Sequence, residues 1–255
     1  MSLQEDQRQA LRETTAWAKK IRTHLGPILD AHGARVHFRP SSKGVAMIGL
    51  LPDRPQRGRS GIRNLDRLAG DFETMFAAHC RNIEQGRDTN EKALQSFLIR
   101  EAQQHDGRLV PINDACKITS DPVELVFVTD EIALPVEDGK IVCDLLALRR
   151  NGGRSTPVLL ELKTDRQRTR LVEQVEGYAR LIDEHADLFG ELFGALLGQT
   201  VTFDAPAEKW IVWPAVGPGA DPREAELADR GIRVVGYVEQ DGRYEMVVGR
   251  GAVRR

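Results

Sequence analysis

The chain has 255 residues, 41% of them hydrophobic and 29% charged, with 36 Lys and Arg against 38 Asp and Glu and a formal net charge of −2 at pH 7. That length suffices for one large domain or two smaller ones, and the ordinary globular composition excludes low-complexity, collagen-like and disordered classes. The near balance of charge argues against a protein that holds nucleic acid through bulk charge alone, and no apolar run reaches membrane-spanning length.

Residues 4–32 predict an amphipathic helix. Leu11, Ala18, Ile21, Leu25, Ile28 and Leu29 recur at three- and four-residue intervals, Gly33 supplies a stop, and Pro27 a bend or interruption. Residues 34–51 predict one or two strands around the polar turn Ser41-Ser42-Lys43-Gly44, residues 53–60 a Pro- and Arg-rich loop, and residues 62–83 a second amphipathic helix. The stretch 86–88 marks the expected boundary between an N-terminal, mostly helical region with a small β-element (1–85) and a second domain (86–255).

The second part opens with a helix over 89–104. Strands are expected at 108–112, 124–128, 131–136, 140–148 and 157–163. A long helix follows from 166 to 188, with its pattern running on past Gly190 to Leu197. A strand at 210–214, a short helix at 221–230 and strands at 232–238 and 244–248 complete the chain. This order predicts an α/β fold, a mixed central β-sheet flanked by helices.

The chemistry concentrates in residues 140–178. Two strand-like runs flank an Asn151-Gly152-Gly153 turn, the signature of a hairpin. Strand alternation puts Glu161 and Lys163 on one face and Val158, Leu160 and Leu162 on the other, while Asp144 interrupts the partner run close enough to share a face with Glu161. Carboxylates in an apolar sheet are costly unless paired or bound to a cation, and a hard divalent metal with oxygen ligands removes their repulsion. Such a site suits phosphate chemistry, the metal polarising the phosphoryl oxygen and the lysine stabilising developing charge or orienting the nucleophile.

Asp144 followed by Glu161-Leu162-Lys163 resembles the D…(D/E)xK core of the PD-(D/E)xK nuclease superfamily, whose fold is restriction-endonuclease-like. Gln174-Val175-Glu176-Gly177-Tyr178 is similar to the QxxxY helix motif of its RecB-type branch, and Glu91 to the glutamate on the first core helix. The resemblance covers roughly residues 86–240, and one departure is Cys143, where the motif often has proline before the aspartate. It implies a Mg²⁺- or Mn²⁺-dependent deoxyribonuclease, in a repair, restriction or phage-defence setting. In that reading Glu91, Asp144, Glu161 and the Leu162 carbonyl hold the metal. Asp144, Glu161, Lys163, Gln174 and Tyr178 form the catalytic set, with the pKa of Lys163 lowered beside the metal. DNA is the implied partner, the core order α-β-β-β-α-β is the implied topology, and the amphipathic N-terminal helices offer a homodimer interface.

Each residue also has a plainer role. Glu91 fits the start of a helix, where the dipole favours an acid. Asp144 fits an ion pair with Lys163, and Gln174 with Tyr178 a polar seam on one helix face. Asp130 lies in Thr129-Asp130-Glu131, which reads as a turn or strand edge. Arg54, Arg57, Arg59, Arg63 and Arg67 form one basic stretch. Arg149, Arg150, Arg154, Arg166, Arg168 and Arg170 flank the acidic centre, where phosphate contact is expected. Cys80, Cys116 and Cys143 are too scattered for disulfides or zinc, so buried thiols and a cytoplasmic location are expected. Trp17, Trp210 and Trp213 are expected in a core or interface, and no histidine is assigned to catalysis. Two alternatives fit the same residues: a catalytically inactive nuclease-fold module for nucleic-acid binding or assembly, and an unrelated α/β protein whose acidic trio is an ion-pair network.

Overall fold

A computed structural model describes residues 2–50, 59–83, 90–116, 124–166, 170–216, 222–240 and 243–248. Among them run α1 (Leu3–His32), β1 (Val36–Ser41), β2 (Gly44–Gly49), β3 (Arg59–Ile62), α2 (Leu65–Gly70), α3 (Phe72–Ile83), α4 (Asn90–Gln104), α5 (Val110–Cys116), β4 (Glu124–Asp130), β5 (Ala133–Val136), β6 (Gly139–Val142), β7 (Leu145–Asn151), β8 (Arg154–Leu162), α6 (Leu171–Glu184), α7 (Ala186–Leu197), β9 (Glu208–Pro214), α8 (Pro222–Asp229), β10 (Ile232–Gln240) and β11 (Arg243–Val248). The fold is mixed α/β. Among the described residues no helix is long and apolar enough to cross a membrane.

The central sheet has six strands in the order β11-β10-β9-β8-β7-β4, with β8, β9 and β10 parallel and the outer pairings antiparallel. β7 and β8 form the hairpin that the Asn-Gly-Gly turn predicts. Asn151 pairs with Arg154 across Gly152 and Gly153, whose φ values of 56° and 86° are those a two-residue turn of this hand demands. Side chains alternate strictly along these strands. Leu146, Leu148, Leu159, Ile211 and Trp213 face one layer, built from α6, α7 and the front of α1 (Leu11 and Ala18). Leu145, Ala147, Val158, Leu160, Leu162, Trp210 and Val212 face the other, under α4 and α5. Both faces of the middle strands are therefore buried, which is why they read as unbroken apolar runs.

Several elements depart from the sequence expectation. Pro27 removes one amide donor, but α1 runs through it to His32. Residues 59–62, expected as loop and helix start, form β3, an edge strand on β2. The helix expected over 62–83 divides at Asp71 into α2 and α3. Residues 108–112 make a single bridge, Arg108 to Val126, and then turn into α5, where Asn113 caps the Leu125 backbone through both its oxygen and its nitrogen. The helix expected over 166–188 begins at Leu171 and ends at Glu184, and α7 starts after His185. The most consequential difference is the run 140–148. It breaks at Cys143 and Asp144, with β6 pairing β5 in a separate two-stranded ribbon and β7 entering the central sheet. The expected boundary at 86–88 and residues 53–58 lie outside the described residues.

The ribbon is tied down by side-chain donors that satisfy its free carbonyls. Gln7 donates to Pro135 (2.9 Å), Tyr178 to Ile132 (2.8 Å) and Gln174 to Val142 (3.0 Å). The third core cluster, under β1 and β2, joins Ile21, Leu25 and Ile28 of α1 to Leu65, Leu68, Phe72 and Phe76. α1 thus serves two cores.

α7 lies against the backbone that follows it because Gly190 and Gly194 lack a side chain there. A Cβ on Gly190 would stand 2.8 Å from the Val201 carbonyl oxygen. Gly→Ala inside a helix ordinarily stabilises by about 1 kcal/mol, but that contact reverses the sign. Gly190→Ala is expected to destabilise the protein by about 1–3 kcal/mol in urea unfolding.

Candidate functional site

Three acids and one base meet where β8 leaves the sheet. Lys163 Nζ lies 2.9 Å from Glu161 Oε1, 3.4 Å from Glu91 Oε2 and 3.9 Å from Asp144 Oδ2, and it donates to the Leu162 carbonyl at 2.8 Å. Glu91 comes from the first turn of α4, Asp144 from the break between ribbon and sheet, and the other three from the end of β8 and the residue after it. The Lys163 main chain is pinned by its neighbours. Its amide donates to the Val212 carbonyl (2.9 Å), and its carbonyl accepts from the Tyr237 hydroxyl (3.2 Å). The cluster thus sits beyond the carboxyl ends of the parallel strands, the position where open α/β sheets hold their ligands.

Glu161 is 2% exposed and Asp144 9%. Asp144 Oδ2 accepts from the Leu162 amide at 2.8 Å, and Gln174 on α6 donates to Glu161 Oε1 at 2.8 Å. Burial and the Glu161 carboxylate push the Asp144 carboxyl up to about 7, against the pull of the Leu162 amide and the Lys163 ammonium. Burial raises Glu161 as well, although Lys163 draws it the other way. Burial also works to lower Lys163, but Glu161, Asp144 and Glu91 more than offset it and hold the ammonium above its ordinary value. One ammonium among three carboxylates leaves the cluster short of positive charge, and the raised acids express that shortage.

No family model matches the chain, and neither does any curated protein or solved structure. The resemblance to the nuclease superfamily therefore rests on the sequence motifs alone. Of the residues singled out from sequence, Glu91, Asp144, Glu161, Leu162, Lys163 and Gln174 come together. Tyr178 does not touch the acids. It is fully buried on α6, ties the ribbon through Ile132, and packs edge-on to Phe189 at 6.3 Å between centroids.

Three of the six arginines expected around the site lie away from it. Arg149, Arg150 and Arg154 lie at the hairpin's far end, with Arg150 six residues along β7 from Asp144, about 20 Å in an extended strand. Arg149 pairs with Glu208 at 2.6 Å. Arg166 is half-buried against Trp213, 4.3 Å from its ring centre, and bonds Glu224 and the Pro214 carbonyl. Arg170 is exposed, and Arg168 lies outside the described residues. Trp210 and Trp213 are core residues. Cys116 and Cys143 are buried thiols, with Cys143 pushed well up by burial and by Glu161 and Asp144. The Cys80 side chain lies outside the described residues.

A second charged cluster, unforeseen from sequence, stands behind Asp144. Asp130 is not in a turn. It ends β4 with no exposed surface, accepting from Arg39 Nη2 (2.6 Å) and Nε (2.9 Å), with His37 Nε2 2.9 Å away. Burial alone would raise its carboxyl, yet Arg39 and His37 hold it well below the usual carboxylate range. Glu131 pairs with Arg39 and Lys92 from a left-handed backbone (φ 43°), a conformation that costs a non-glycine residue about 1–2 kcal/mol. The available signals were two adjacent acids after an apolar strand, and His37 with Arg39 two apart on one strand face.

The sign of the pH effect at Asp144 follows from its raised value. Below the ordinary carboxyl pKa both folded and unfolded chains hold the proton, and there is no penalty. Stability falls as the pH rises from there through about 7, because the unfolded chain ionises first. Asn mimics the protonated acid and keeps the acceptor for the Leu162 amide. Asp144→Asn is expected to stabilise the metal-free protein by about 1–3 kcal/mol at about pH 8 and by little at about pH 4, read as unfolding midpoints at both values.

Proposed function

We propose that the chain is a metal-dependent nuclease that hydrolyses phosphodiester bonds in DNA. The observation that supports this is the convergence of three acids from three segments on one lysine at the carboxyl end of the sheet. The order in which those residues occur is that of the PD-(D/E)xK pattern. Four oxygens, from Glu91, Asp144, Glu161 and the Leu162 carbonyl, surround the point that the Lys163 ammonium occupies. All are hard donors of the kind that Mg²⁺ and Mn²⁺ take, and the uncompensated carboxylates favour a dication. Among the described residues no group of three His, Cys, Asp or Glu side chains is set to hold a metal in this arrangement. The ammonium stands in that place, so a cation would enter with Lys163 turned aside on its flexible stem.

When bound, Mg²⁺ or Mn²⁺ would polarise the phosphoryl oxygen and acidify a water. Glu91, Asp144, Glu161 and the Leu162 carbonyl would hold it. Lys163, released from the acids but anchored through its backbone, would donate to a phosphoryl oxygen or orient the attacking water. Gln174 keeps Glu161 aimed into the site and satisfies one of its oxygens. The competing reading is a nuclease-like or unrelated scaffold without turnover, in which Lys163 is the permanent counter-ion of the acids. The ammonium's central position favours it.

Divalent-ion titration separates the two. Mg²⁺ or Mn²⁺ at about 100 times its dissociation constant should stabilise the wild type by about 2.7 kcal/mol, and Asp144→Asn should lose that gain. Cleavage should be assayed on linear, circular, single- and double-stranded DNA. Lys163→Ala should lower the rate by about 10²-fold or more while still gaining stability from the cation. A melting midpoint indifferent to either ion would overturn the nuclease proposal.

A further inference from the structure

We propose that the cluster of buried Asp130 with half-buried Arg39 and Glu131, joined through Gln95, is an outer brace that sets the position of Asp144 for cation binding; this rests on the metal-site reading above. Asp144 has no strand of its own, because it stands in the break between β6 and β7. Something other than sheet pairing must hold it, and two donors do. The Glu131 amide reaches the Asp144 carbonyl at 3.2 Å, and Gln95 Nε2 reaches the same oxygen at 3.0 Å.

Both donors are themselves fixed by the charged cluster. Gln95 is buried, its amide nitrogen 3.4 Å from Asp130 Oδ2 and its oxygen accepting from Lys92 at 2.9 Å. Lys92 also pairs with Glu131, and Arg39 of β1 bridges Glu131 and Asp130 with its fork. Gln95 stands one helical turn after Glu91 on α4, so a single helix face contributes both a proposed ligand and a support for its neighbour. A cluster built only for stability would have no need to end on the carbonyl of a proposed ligand. Outer partners of this kind orient metal-binding carboxylates, and their loss typically weakens metal affinity by about 10–100-fold. β1, from the N-terminal region, is on this account part of the site's support.

The test uses the full chain and Mn²⁺ alone, titrated by electron paramagnetic resonance, alongside hydrogen exchange of the Leu162 amide, which reports on Asp144 because it donates to its Oδ2. Gln95→Met removes the donor and leaves the ion pairs. It is expected to raise the Mn²⁺ dissociation constant about tenfold or more and to speed Leu162 exchange in the metal-free protein, with little change in overall melting. Arg39→Lys keeps the charge but loses the fork that bridges two acids, and is expected to weaken Mn²⁺ binding less. It carries the test should Gln95→Met not fold. A folded variant with wild-type Mn²⁺ affinity and wild-type Leu162 exchange would overturn the brace, leaving a purely structural cluster. A wild type that binds no Mn²⁺ would overturn the metal reading and the brace's role in cation binding with it.

Discussion

The organising constraint of this protein is an excess of negative charge at a nearly dry sheet end. Glu161 and Asp144 are buried beside one another, Glu91 approaches from a third element, and one ammonium serves all three. Charges taken out of water need partners, and a shared lysine does not satisfy three carboxylates. The local architecture accommodates the shortage. Gln174 and the Leu162 amide donate to the acids, and the Lys163 backbone is locked between β9 and β10. Apolar side chains of similar volume in place of this cluster would carry no such shortage, so the cluster is a local cost to stability.

The N-terminal segments are more closely bound to the central sheet than their sequence suggests. α1 places Leu11 and Ala18 in the same core as α6, α7 and the sheet, and Gln7 reaches the ribbon. β1 sends Val36 and Phe38 into its own core and turns His37 and Arg39 toward Asp130. Strand alternation makes that division, so a six-residue strand can serve both a local core and a distant charge.

Much of the fold was legible because the middle strands obey simple periods. The hairpin register follows from the turn glycines, and the face assignment of Val158, Leu160 and Leu162 against Glu161 follows from alternation. The break at Asp144 was not legible. Ile141-Val142-Cys143-Asp144-Leu145-Leu146 reads as one apolar run, and only tertiary pairing shows that its halves belong to different sheets. Residues 108–112 failed for a similar reason: a strand-like Arg-Leu-Val preceded Pro111, which suits a helix's first turn. In the candidate site, Glu91, Glu161 and Lys163 were recoverable from motif order. Gln95, Asp130 and Arg39 were not, since their significance lies in whom they meet across more than thirty positions of chain. Arg149, Arg150 and Arg154 misled because nearness in sequence to an acid says nothing about which end of a strand they occupy.

The two-stranded ribbon changes what variation this scaffold can absorb. Its tip, Glu137-Asp138 between paired Val136 and Gly139, is far in the ladder from the point where Asp144 emerges. Tyr178 and Gln174 hold the ribbon's base and Gln7 its Pro135 nearer the tip, while the Glu131 amide and Gln95 hold the Asp144 carbonyl. Insertions or new sequence at the tip would leave the acid where it is. The finger's tip could therefore change in length or sequence while Glu91, Asp144, Glu161 and Lys163 keep their mutual distances.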